Sequence, residues 1–157
     1  MDRLNRSADA KAPYDGCPVE RGYLLLEYRC LKLYFIKRNY SDAVTRCEGD
    51  RGHLFNLKSR DDGPALLMLM ETMGKDLGTM GKSVWVGAND IKVAKVFRWS
   101  DNTTLAVDSE LWADGQPDDM YDDVKNVECV RVSYMNQVVL DDVPCSMKLW
   151  FACQVDI

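Results

Sequence analysis

The side chains with the plainest chemistry in this sequence are oxygen donors. Gln116, Asp118, Asp119, Asp122 and Asp123 crowd one short segment, and Asp141 and Asp142 form a pair further on. Carboxylates and amide carbonyls on irregular backbone are what calcium selects, because it takes six to eight oxygen ligands at about 2.3–2.6 Å in forgiving geometry. Magnesium is less apt, since it demands a stricter octahedron. On composition alone, a merely solvated acidic surface is the stronger reading of these residues. Catalytic candidates are scarce. His53 is the single histidine, and its place in a predicted strand suits packing or hydrogen bonding better than catalysis. No Gly-rich phosphate loop, metalloprotease helix or Gly-x-Ser-x-Gly elbow occurs. The expectation is a binding protein, not an enzyme.

The chain that must position these groups has 157 residues, 46% of them hydrophobic and 29% charged. That is one domain with a real core, too apolar for a disordered chain. A net charge of −5 argues against nucleic acid and anionic lipid as partners, which select the opposite sign. No apolar run approaches the roughly 18 residues of a membrane span; the longest candidate is Ala65 to Met70, so no membrane insertion is expected. The first residues lack the apolar stretch of a secretory signal. The protein therefore either stays inside the cell or has lost an export signal. Six cysteines, Cys17, Cys30, Cys47, Cys129, Cys145 and Cys153, contain no C-x-x-C pair. An even number without metal or redox spacing points to a bridged extracellular domain. Sequons at Asn5-Arg6-Ser7, Asn39-Tyr40-Ser41 and Asn102-Thr103-Thr104 agree with it. Six cysteines allow 15 pairings, and spacing alone does not choose among them.

Residues 1 to 16 are polar and aperiodic and read as a flexible leader, leaving 17–157 as the domain. Gly22 to Tyr40 reads as two short strands or a hairpin. Ser41 fits a helix N-cap, with Ala43, Val44 and Cys47 on one face and Gly49 and Gly52 at the end. His53 to Leu57 reads as a short strand. Ser59 looks like a second cap, ahead of an apolar, Met-rich helix ending about Gly74, whose composition suits a buried helix better than a binding groove. Strand-like runs follow at Ser83–Gly87, Phe97–Ser100, Val127–Ser133, Gln137–Leu140 and Trp150–Gln154. Between Asp101 and Asp123 lies a stretch rich in Asp, Gly and Pro, long enough to be functional. Helices first and strands later, without βαβ alternation, give an α+β fold.

Several landmarks in order are similar to those of the C-type lectin-like domain, in its long form with three bridges. They are an N-terminal cysteine pair ahead of the first helix, Trp85-Val86-Gly87-Ala88, Phe97-Arg98-Trp99-Ser100-Asp101, Gln116-Pro117-Asp118, Asp142-Val143-Pro144-Cys145 and Phe151-Ala152-Cys153. The resemblance covers Cys17 to Cys153. It implies bridges Cys17–Cys30, Cys47–Cys153 and Cys129–Cys145, and two helices flanking short antiparallel sheets with a long calcium-binding loop region. It also implies Ca2+ held by Gln116, Asp118, Asp141 and Asp142, with a cis Gln116–Pro117 bond, and an auxiliary site at Asp90, Asp119 and Glu128. Gln-Pro-Asp resembles the galactose-type tripeptide, so the implied partner is a glycan ending in galactose or N-acetylgalactosamine, with Tyr121 a candidate to stack on the sugar. The implied location is secreted or extracellular, with several domains presented together, as in a homo-oligomer, for avidity.

The sequence also departs from the family pattern. Val127 stands where a ligating acid is usual, Leu140-Asp141-Asp142 replaces Trp-Asn-Asp, and Ala94 replaces an acid of the auxiliary site. These departures keep open a second expectation: a protein-binding or matrix- or mineral-associated module with a degenerate calcium site.

Overall fold

The computed structural model describes residues 16–74, 83–117, 127–134 and 138–157. Strand β1 (Leu24–Leu26) and strand β2 (Arg29–Arg38) form the expected N-terminal hairpin. Helix α1 (Tyr40–Gly49), strand β3 (His53–Leu54) and helix α2 (Asp62–Gly74) follow. Strands β4 (Ser83–Val93), β5 (Val96–Trp99), β6 (Glu128–Tyr134), β7 (Val138–Pro144) and β8 (Leu149–Val155) complete the chain. The sheet runs β1-β2-β8-β4-β6-β7, with β3 against β8 and β5 against β4. The fold is α+β, as expected. Because β7 is the last strand on this path, one of its edges is open to the segment that carries the candidate ligands.

Alternation along the central strands splits the core in two. Val84, Val86, Val130, Val132 and Leu140 pack with Leu66, Leu69 and Met70 of α2. Trp85, Phe151 and Cys153 pack with Ala43 and Cys47 of α1. The Met-rich helix is thus a core helix. Ala65, Leu66, Leu69 and Met70 are buried at i, i+1, i+4 and i+5, while Met68 faces outward.

Two helix starts differ from expectation. The N-cap of α1 is Asn39, not Ser41: its backbone is extended and its Oδ1 accepts from the Asp42 amide at 2.9 Å. Asparagine two residues earlier caps as well as serine, and it lets the buried Tyr40 join the first turn. At α2, Asp62 reaches back so that its Oδ2 accepts from the amides of Lys58 and Ser59 at 2.9 and 3.2 Å. Strand β3 is shorter than expected, and β4 runs six residues beyond Gly87 because its outer half pairs with β5.

The three bridges are Cys17–Cys30, Cys47–Cys153 and Cys129–Cys145, the pairing the resemblance implied. Cys47–Cys153 joins α1 to β8 across 106 positions. On the chain-entropy account a loop of that size is worth about 4–5 kcal/mol.

Candidate calcium and carbohydrate site

The long loop is anchored to the open edge of β7. The Leu140 amide donates to the Leu111 carbonyl at 2.9 Å, and the Ala113 amide donates to the Leu140 carbonyl at 2.8 Å. Trp112 pairs with Leu140 in parallel. Its buried indole donates to the Ala106 carbonyl at 2.9 Å and meets Phe97 edge-on at 5.2 Å. A Trp at this point serves both needs, an apolar body for the core and a donor for a loop carbonyl. Because the pairing is parallel, the loop leaves Leu140 in the direction of Asp141 and Asp142. A turn follows at once: the Gln116 amide donates to the Ala113 carbonyl at 2.9 Å, with Gly115 at φ +82°. That left-handed conformation favours glycine. The Gln116–Pro117 bond is cis, as the resemblance implied. Asp118, Asp119 and Tyr121, the other expected loop contributors, lie outside the described residues.

Asp141 and Asp142 sit side by side on β7 with different surroundings. Asp142 is opposite Val130 and is only 4% exposed. Asp141 is opposite Arg131, whose Nε and Nη2 both donate to Asp141 Oδ2, at 3.1 and 2.9 Å. Successive strand residues turn to alternate faces, so a cation bound by both carboxylates has to sit at the ribbon edge, where the loop runs. An amide oxygen and two carboxylates are hard donors suited to calcium. Gln116, Asp141 and Asp142, with Asp118, are the residues that would hold it. Among the described residues alone, no three His, Cys, Asp or Glu side chains gather closely enough to hold a metal ion.

At the expected auxiliary site, Asp90 and Glu128 are brought together. Asp90 Oδ1 accepts from the Glu128 amide at 2.7 Å, and Oδ2 accepts from the Lys95 amide at 3.1 Å. Both residues are buried. Asp90 therefore ties the β4–β5 turn to the start of β6. Val127 is exposed beside it.

Sequence reasoning missed Arg131. Its signal is present only as register, ten positions from Asp141 across a ribbon whose pairing no local pattern announces.

A polar cavity of about 510 Å³ elsewhere holds His53, Asn56, Ser100 and Asp156. Ser100 Oγ lies 3.3 Å from His53 Nδ1, and His53 Nε2 lies 3.1 Å from Asp156. The order suggests a nucleophile, base and acid, but the hydrogen bonds do not. His53 Nδ1 is 2.7 Å from the Leu54 carbonyl, an acceptor only, so this nitrogen carries the proton and cannot take one from serine. Ser100 Oγ donates to Asn56 Oδ1 at 2.8 Å. His53 is a structural donor, as expected.

The lectin C-type domain model matches residues 36–155. The chain belongs to the C-type lectin domain family. It is 32% identical to collectin-10 of Xenopus tropicalis over 128 residues, which is 78% of this chain and 42% of that protein. It is 26% identical to the human versican core protein over 133 residues, or 85% of this chain. The domain spans only 4% of versican's length. Among solved structures it matches TC14, a C-type lectin from the tunicate Polyandrocarpa misakiensis, at 27% identity and a TM-score of 0.64, covering 81% of this chain and 97% of that one. Domains of this family are typically binding proteins without enzymatic activity. No described helix is long and apolar enough to cross a membrane.

Proposed function

We propose that this C-type lectin domain is an extracellular calcium-dependent lectin for terminal galactose or N-acetylgalactosamine. The observation that supports it is the anchoring of the loop on β7, which aims the Gln116 segment at Asp141 and Asp142. Family membership adds to this, because C-type lectin domains generally take calcium and bind carbohydrates. When bound, calcium offers open coordination positions to two adjacent sugar hydroxyls. The protein's own share is orientation. Gln116 presents an amide, which both donates and accepts, while Asp118 and Asp142 present acceptors only. A hydroxyl pair is selected by where it must give a proton and where it must take one, and the Gln-Pro-Asp order sets that pattern. Tyr121 is proposed to cover the sugar's apolar face. One such site is shallow, so useful avidity calls for several domains presented together. Three bridges and the sequons at Asn39 and Asn102 support an oxidising, extracellular setting.

The test is retention on galactose beads in calcium. Release by EDTA is expected, and retention that ignores EDTA would overturn the mechanism. Exchanging Gln116-Pro117-Asp118 for Glu-Pro-Asn should move preference toward mannose-type sugars; an unchanged ranking counts against the assignment. A second reading, a protein-binding module without calcium, draws on exposed Val127 in place of an acid and on the Arg131–Asp141 pair. Calorimetry with no calcium heat at millimolar concentration favours that reading.

A further inference from the structure

Resting on the calcium reading above, we propose that Arg131 is a tethered cation that shares Asp141 with calcium and lowers the site's affinity for the ion. The guanidinium is fixed by β6, directly across the ladder from Asp141. Both of its donors meet one oxygen, Oδ2. A carboxylate offers about four lone-pair sites on two oxygens, and the guanidinium engages only those of Oδ2. A calcium ion can therefore approach Asp141 without expelling Arg131, but it must then sit close to a fixed positive charge. Arginine suits the role because it keeps its proton throughout the physiological range.

Charge accounting points the same way. Of the described candidate ligands, Asp141 and Asp142 carry two negative charges, and Arg131 offsets one of them. In calcium sites, ligand charge and rigidity set affinity, and extracellular modules lie at the weak end, about 10⁻⁴ to 10⁻³ M. Asp141 and Arg131 are both partly screened from water, with side chains 18% and 24% exposed. Their pairing is therefore less diluted by solvent than a fully exposed surface pair. In the absence of calcium, Arg131 also compensates the charge of the half-buried Asp141 carboxylate. The pair gives the domain a calcium-free resting state and a raised threshold for loading.

The experiment titrates calcium into wild type, R131Q and R131K. Tryptophan fluorescence is followed, with Trp112 at the loop base as reporter, and each melting temperature is read in EDTA and in calcium. R131Q is expected to bind calcium about tenfold more tightly, the order expected from removing one neighbouring charge. It should melt lower than wild type in EDTA and gain more from calcium. R131K keeps the charge and should stay within about threefold of wild type. Equal affinities in wild type and R131Q overturn this inference while leaving the lectin reading intact. So does an R131K that binds as tightly as R131Q. Calcium binding by R131Q alone supports the inference and overturns calcium dependence in the wild type. No binding by any of the three overturns both.

Discussion

Gly87 shows how a single missing methyl group can hold the site's scaffold together. A Cβ there would stand 2.5 Å from Asn56 Oδ1 and 2.8 Å from the Leu54 carbonyl. Neither neighbour can yield easily. Asn56 Oδ1 also accepts from Ser100 Oγ, and the Leu54 carbonyl belongs to β3 backbone. Gly87→Ala is expected to destabilise by about 1–3 kcal/mol, the scale of overpacking a close-packed site, read as a lowered midpoint in urea. An unchanged midpoint would mean that β3 moves away from β4 at no cost. Tyr40 supplies a second residue-level test. Burial pushes its phenol up to about 12, above the ordinary value near 10. A raised folded value contributes stability that is complete below about pH 10 and is lost as pH rises toward 12. The Tyr40→Phe variant should show a shallower alkaline loss of melting temperature over that window; an identical slope would contradict the assignment. At the acidic end the sign reverses. The Lys58 ammonium and Thr103 hold the Asp101 carboxyl well below its ordinary range. Its contribution is present above about pH 4 and fades as pH falls.

Among the elements, the unit that matters is the β6–β7 ribbon with the loop base laid along its edge. Cys129–Cys145 closes this ribbon across 16 positions, and the Cys145 carbonyl accepts from the Tyr40 amide at 3.0 Å. The bridge thus ties the β6–β7 ribbon, which carries the proposed ligands Asp141 and Asp142, to the start of α1. Replacing both cysteines by serine is expected to cost about 3 kcal/mol on the chain-entropy account. Calcium affinity should fall with the melting temperature, since the ligand set would lose its fixed spacing. A variant that melts earlier yet binds calcium unchanged would show that the loop anchor at Leu140 suffices alone. Much of this unit was legible in the sequence. Short apolar runs located β5, β6, β7 and β8 to within a few residues, because strands that feed the core read as apolar blocks. The segment ending in Gln116-Pro117 and the strand carrying Asp141-Asp142, both singled out in the sequence, meet through the anchor at Leu140. The docking of Trp112 on Leu140 was not legible, since one parallel bridge leaves no periodicity. Nor was the Arg131–Asp141 pair, which exists only through register. The cap of α1 was misread because Ser and Asn are near-equal caps, and tertiary demands on Tyr40 chose between them.

At the scale of the whole molecule, one sheet divides two cores, α1 and α2 cover its opposite faces, and three largely buried bridges fasten the elements together. Cys17–Cys30 holds the N-terminal hairpin, and Cys47–Cys153 fastens α1 to β8. A scaffold of this kind can spend its edge on irregular loop, because the loop's few anchors rest on a rigid frame. The polar cavity at His53 belongs to that frame, as its hydrogen bonds join β3 to the chain end at Asp156 and to the end of β5. The proposed function thus lies at one place, the edge of β7, and the rest of the fold holds that edge still. Galactose titrated calorimetrically into the intact protein, first in millimolar calcium and then in EDTA, tests this most directly. Saturable heat in calcium and none after chelation is expected. Equal heats in the two buffers, or none in either, would contradict it.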